Sequence, residues 1–234
     1  MPDPATPQGP LPLALLPLAS WPTDLDGARA VQEQLRSRVL PEDRFGPIRR
    51  IAAVDAHHSE STGLSWAAVA EVDAATLELT RSVMLCRPTR FPYVPGFLSF
   101  REAPAMVAAL ALLPEPPDLV VVDGQGQAHP RRLGIACHVG VLTGLPTIGI
   151  AKSILVGRHG PLGPARGERA PLVHRREVVG MALRTRDGTQ PVYVSVGHRV
   201  GLDTAVELAL RLSPKYRISE PVRLADRISR MHPA

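Results

Sequence analysis

The sequence predicts an α/β fold in a single domain, with a mixed β-sheet flanked by helices. Three observations carry this. Three strand-like runs follow one another with short connections, at 48–57 (IRRIAAVDAH), 65–72 (SWAAVAEV) and 77–86 (LELTRSVMLC), as in an antiparallel meander. Two continuous apolar runs, 118–123 (DLVVVD) and 146–152 (PTIGIAK), then alternate with helix-like segments. Such runs mark strands buried on both faces. Finally, 234 residues suit one domain that buries its core without disulfide staples.

The elements follow in order. Residues 1–22 read as a proline-rich arm. The apolar stretch 11–19 (LPLALLPLA) resembles a signal peptide, but the first basic residue is Arg29 and Pro10, Pro12 and Pro17 interrupt the region. The domain proper is expected over 23–234. Thr23 or Asp24 caps a helix whose apolar face is Leu25, Ala28, Val31, Leu35 and Val39, and Pro41 stops it. After the three strands, with a turn at 73–76, residues 87–99 form a loop rich in proline and aromatics. A helix follows to about Leu113 and ends at Pro114, Pro116 and Pro117. The strand 118–123 leads through a glycine-rich loop to a helix at 134–143 and then the strand 146–152. Residues 156–171 hold four glycines and three prolines and read as a surface excursion. Strands at 178–185 and 192–197 and helices at 202–212 and 221–230 complete the chain.

Composition narrows the function. Hydrophobic residues at 44% and charged residues at 21% match globular usage and exclude wholesale disorder. Two cysteines, Cys86 and Cys137, exclude a disulfide framework and a four-cysteine zinc site. No apolar run approaches the roughly 20 residues of a membrane span, so no membrane partner is expected and a cytoplasmic location is. Lys plus Arg total 27 against 22 Asp plus Glu, and the resulting +5 suits a polyanionic partner. No oligomerisation motif is visible, and a monomer is expected.

Asp55 and Asp123 each follow an apolar run. A carboxylate at the end of a buried strand is costly unless paired, hydrogen-bonded or bound to metal, although either residue alone is compatible with an ordinary turn cap. Glu102 has two readings. It closes a capping box with Ser99, in which case Pro104 lies awkwardly inside the helix, or it is a third site carboxylate. Three converging carboxylates make an oxygen-rich site for Mg²⁺ or Mn²⁺, which orient water and neutralise phosphoryl charge. The loop 123–129 (DGQGQAH) fits only part of a dinucleotide fingerprint, because its sixth position is His129. Arg131 and Arg132 follow and suit phosphate contacts. His129 suits a ligand, a proton carrier or a phosphate contact, and Lys152 ends an apolar strand. His57 and His58 point to opposite faces of their strand, so at most one joins Asp55. Tyr93-Val94-Pro95-Gly96 is a stiff apolar turn able to pry into or stack on bases, or to pack onto the domain.

The runs PYVPGFLSFRE (92–102), PDLVVVDGQGQAHPRRLGIACHVGVLTGLPTIGIAKSIL (117–155) and VYVSVGHR (192–199) closely resemble the endonuclease V family, nucleases of deaminated nucleic acid. The similarity extends over about 25–229. The resemblance implies an RNase H-like fold and Mg²⁺-dependent cleavage, with Mn²⁺ as substitute, at the second phosphodiester bond 3′ to deoxyinosine. The partner it implies is DNA containing deoxyinosine, with inosine in RNA as the alternative. It makes Asp55, Glu102 and Asp123 metal ligands and puts His129 near the scissile phosphate. Lys152 becomes the group that positions the nucleophile, and Tyr93, Val94 and Pro95 become a strand-separating wedge. Gly96, Leu98, Gly124, Gly126, Gly149 and Leu155 become the lining of the base pocket. Asp226 follows the segment EPVRLA and stands where the family carries Asp or His, a fourth ligand favouring hard cations. The chain departs from the family at Ala56-His57-His58, which alters the surroundings of Asp55. A lesion-binding protein without catalysis and a junction resolvase on the same fold are the competing readings.

Overall fold

The computed structural model describes residues 21–89 and 91–231. The expected proline-rich arm, apart from Trp21 and Pro22, lies outside them. Among the described residues, eight strands form one sheet of order β3-β2-β1-β4-β5-β8-β7-β6. The strands are β1 (Arg50–Ser59), β2 (Leu64–Asp73), β3 (Leu79–Pro88), β4 (Leu119–Asp123), β5 (Thr147–Ala151), β6 (Arg169–His174), β7 (Glu177–Leu183) and β8 (Val192–His198). The helices are α1 (Leu25–Arg36), α2 (Leu98–Leu110), α3 (Ile135–Thr143), α4 (Leu202–Arg211) and α5 (Glu220–Ser229). β1 pairs with β4 and β4 with β5 in parallel, and the other pairings are antiparallel. This is the mixed sheet flanked by helices that the sequence predicts.

The apolar runs are continuous because both faces of the central strands are covered. Ile51, Ala53, Leu119 and Val121 share one core with Val206 and Ala209 of α4 and Val222 and Ala225 of α5. Ala52, Val54, Val120 and Val122 share the other with Met106 and Leu110 of α2 and Ala136 and Val139 of α3. Asp24 caps α1 through Gly27 N–H at 2.7 Å. That helix ends at Arg36, short of Pro41, because Ser37 already closes it. The turn after β2 is held by the Asp73 carboxylate, which accepts from Ala75 and Thr76 N–H at 2.9 Å each.

Two expectations change. β6 begins inside the segment read as a surface excursion, since its alternation of exposed and buried residues is masked in sequence by Pro171. The capping box does not form. The cap of α2 is Phe97, without a side-chain bond. Ser99 lies inside the helix with its hydroxyl 3.0 Å from His138 Nδ1. Pro104 is accommodated within α2.

Candidate active site

The register of β1 with β4 pairs Val54 with Val122, so the next residues lie side by side: Asp55, which is still inside β1 and paired with Ala68 of β2 rather than at a strand end, and Asp123, the last residue of β4. β5 runs parallel beside β4, and Lys152 follows its last residue. Lys152 Nζ donates to Asp123 Oδ2 at 2.5 Å and lies 3.9 Å from Asp226 Oδ1. Asp226 comes from α5, where Arg230 also holds its Oδ1 at 3.0 Å. Glu102 comes from α2 on the opposite face of the sheet.

These carboxylates share one electrostatic environment. Burial, and then the charge of Asp123, raise Asp55 to about 6, against the hydrogen bond from Ser229. Burial, and then the charge of Asp55, raise Glu102 to about 8. Burial raises Asp123 as well, opposed by Lys152. In all three, burial is the larger cause, and a neighbouring carboxylate adds to it. The donor set is all hard oxygen, with negative charge in excess of the facing Lys152 and Arg230, and this fits a hard divalent cation. Among the described residues, no three His, Cys, Asp or Glu side chains stand close enough together to hold a metal ion as they are placed.

A cavity of about 300 Å³ adjoins this cluster and is lined by Asp123 and Lys152 together with Tyr93, Pro95, Gly96 and Leu98. Gly124, His129 and Leu155 complete the part of the wall that the sequence singled out. Its rim is a tight turn in which Phe97 N–H donates to Val94 C=O at 2.9 Å. Pro95 and Gly96, at φ +81°, occupy the positions that a type II turn reserves for proline and glycine. Tyr93 is 64% exposed at the turn, with the Arg101 guanidinium 5.8 Å from its ring. Val94 instead packs against Phe91, Phe97 and Phe100.

Three donors converge on the Gly96 carbonyl. They are His129 Nε2 at 2.9 Å, Arg131 Nη2 at 2.7 Å and Gln32 Nε2 at 3.0 Å. Nδ1 of His129 accepts from Arg131 N–H at 3.2 Å, which fixes the neutral tautomer. Burial lowers His129 to about 4, in keeping with that neutral ring. His129 therefore braces the turn from the cavity wall. Gly126 and Gly149 stand behind the cavity and do not line it. A Cβ on Gly126 would lie 1.9 Å from Val196 O, and one on Gly149 would lie 2.5 Å from Gly124 O. Their role is to let the loop press onto β5 and β8. His58 faces away from the cluster, toward Ser65 at 3.2 Å and Thr89 at 3.1 Å.

The family model for endonuclease V matches residues 33–227. The chain belongs to the endonuclease V family. It is 53% identical to endonuclease V of Roseiflexus castenholzii over 209 residues, 89% of this chain and 93% of that protein. The crystal structure of endonuclease V from Streptomyces avermitilis superposes with a TM-score of 0.87 at 48% identity, covering 91% of this chain and 94% of that one. Endonuclease V of Ciona intestinalis, in complex with a 24-mer DNA containing an inosine followed by a ribo-adenosine, matches with a TM-score of 0.75. That match is 25% identical and covers 86% of this chain and 94% of the other.

Sequence reasoning missed three groups that shape this endonuclease V site. Ser229 contacts Asp55, and Gln32, fully buried on α1, reaches Gly96. Gln125 lines the cavity, bonds Ser153 C=O at 2.7 Å and keeps a buried Oε1 without a hydrogen-bond partner among the described residues. All three depend on contacts between distant segments or on side-chain direction, for which a single sequence carries no signal.

Proposed function

We propose that this protein is a divalent-metal-dependent endonuclease of deaminated nucleic acid. It nicks DNA at the second phosphodiester bond 3′ to deoxyinosine and leaves 3′-hydroxyl and 5′-phosphate ends. The observation that carries the reading is the adjacency of Asp55 and Asp123, on neighbouring parallel strands, beside a cavity rimmed by the Tyr93 turn. Asp55, Glu102, Asp123 and Asp226 would hold the cation. Mg²⁺ or Mn²⁺ bound there supplies an oriented water and neutralises charge on the phosphoryl group.

The chain's own residues do the rest. Because burial raises Glu102, loading the cation there would release a proton. Lys152, held on Asp123, orients the nucleophile or offsets charge at the scissile phosphate. Tyr93 and Pro95 enter the base stack, and the extruded base lies against Gly96, Leu98, Gly124 and Leu155. Small residues there let backbone groups read the base edge. His129, Arg131 and Gln32 keep the wedge turn in register with that pocket.

RNA is the second reading. The Ciona relative was crystallised on DNA in which a ribonucleotide follows the inosine, so a 2′-hydroxyl next to the lesion is compatible with this fold. The test is digestion of matched inosine-containing DNA and RNA by chelator-treated protein with single metals added back. Restoration by Mg²⁺ or Mn²⁺ supports the reading, and the faster substrate sets the preference. Full activity in chelator overturns it, and so does cutting of a four-way junction lacking inosine.

A further inference from the structure

The β6–β7 hairpin turns in two residues, Arg175 and Arg176, between the paired His174 and Glu177. Both have positive φ, 54° and 69°. This is the geometry of a type I′ turn, which strongly favours Asn-Gly. Two arginines there are poor turn formers, each held in a backbone region that L-residues with long side chains avoid. Strain of this kind persists where surrounding structure over-determines it, and it points to a use for the side chains.

The surroundings do over-determine it. Arg132, itself at φ 58°, braces the hairpin from the loop that carries His129. Its guanidinium donates to His129 C=O at 2.8 Å, to His174 C=O at 3.2 Å and to Glu177 Oε2 at 2.8 Å. The hairpin is thereby tied to the cavity wall through one side chain. Along the outer edge of β6, Arg158 forms a backbone bridge with Val173, three residues after the cavity residue Leu155. Arg158, Arg175 and Arg176 are exposed, while Glu177 is engaged by Arg132. The result is a rigid basic edge beside the cavity.

We propose that Arg175 and Arg176, with Arg158 behind them, bind the phosphodiester backbone of the nucleic acid flanking the lesion, as a site distinct from the metal cluster and base pocket. The inference rests on the nuclease reading above. Cationic side chains on a fixed turn meet phosphates already positioned, and such contacts supply position and affinity through charge without reading sequence.

The test compares two double variants of the full chain. Arg175→Asn with Arg176→Gly removes both charges while supplying the residues the turn prefers, so the fold is retained. Arg175→Lys with Arg176→Lys keeps the charges. On a long unmodified duplex, the Asn-Gly variant is expected to bind roughly tenfold more weakly, with a log–log salt slope shallower by about 2. The Lys-Lys variant is expected to stay near the parent. On an inosine oligomer too short to reach the hairpin, all three proteins are expected to cut alike. Parental affinity and salt slope in the Asn-Gly variant overturn the proposal, as does a Lys-Lys variant as weak as Asn-Gly. If the parent never cuts inosine substrates, the nuclease reading fails, while the duplex-binding comparison still reports on the hairpin.

Discussion

Ser229 Oγ stands 2.8 Å from Asp55 Oδ2, joining the last turn of α5 to the middle of the first strand across 174 residues of chain. The same hydroxyl lies 2.9 Å from the Asp226 carbonyl. One buried serine thus orients Asp55 and tethers the helix turn that carries Asp226. Groups hydrogen-bonded to metal ligands fix their direction and favour their charged form. Ser229→Ala is expected to weaken apparent Mg²⁺ affinity by roughly 10–100-fold, with most of the cleavage rate recovered at saturating metal. A metal titration of initial rates checks this, and a parental titration curve would remove Ser229 from the site.

Asp55→Asn, Glu102→Gln and Asp123→Asn should each lower the cleavage rate by orders of magnitude, because each removes a ligand charge. Single-turnover rates at saturating substrate make the comparison. Normal turnover in any one of the three withdraws that residue from the ligand set.

The metal-free protein is expected to be most stable near pH 6–7, with opposite groups limiting the two sides. Burial lowers His129 and His198 to about 4 and His138 to about 3. Below about 6.5 the unfolded chain binds more protons at these rings than the fold does, so stability falls as pH falls. Glu102, raised to about 8, behaves in the opposite sense. Its folded form keeps a proton that the unfolded chain has lost, so stability falls as pH rises from about 4.5 to 8. Glu102→Gln should flatten the alkaline side and raise Tm at pH 8 by roughly 3–6 °C in chelator. An unchanged alkaline limb in thermal melts would contradict the burial argument.

Tyr93→Ala should reduce the preference for inosine over unmodified DNA by roughly tenfold, the scale of one lost aromatic–base stack, while general duplex binding changes little. Competition binding with the two duplexes separates the outcomes. Equal loss on both rejects the wedge role for this turn.

Asp55 and Asp123 were legible in the sequence because a double-covered strand must be apolar and a carboxylate after the apolar run then stands out, although only Asp123 ends its strand and β1 continues past Asp55 to Ser59. The sequence left Glu102 between two readings. The capping box is removed because α2 starts earlier, at the Phe97 cap, and Ser99 inside it reaches His138 of α3. β6 was hidden because Pro171 and the neighbouring glycines mimic a loop, and its pairing with β7 is what makes it a strand. Ser229, Gln32 and the strained Arg175-Arg176 tip became visible with the fold. Each is defined by a partner or a backbone angle rather than by its neighbours in the chain. The family resemblance supplied roles, while the geometry separated Gly126 and Gly149, which allow close packing, from Gly96 and Gly124, which face the cavity.

Inosine-directed cleavage is checked by a nick-mapping assay on an end-labelled duplex with one deoxyinosine, in Mg²⁺, beside the same duplex without it. The expected result is a single nick in the inosine strand at the second phosphodiester bond on its 3′ side, with the control intact. No nick with folded protein in either Mg²⁺ or Mn²⁺, on this duplex or its RNA counterpart, would contradict it, as would equal cutting of the control.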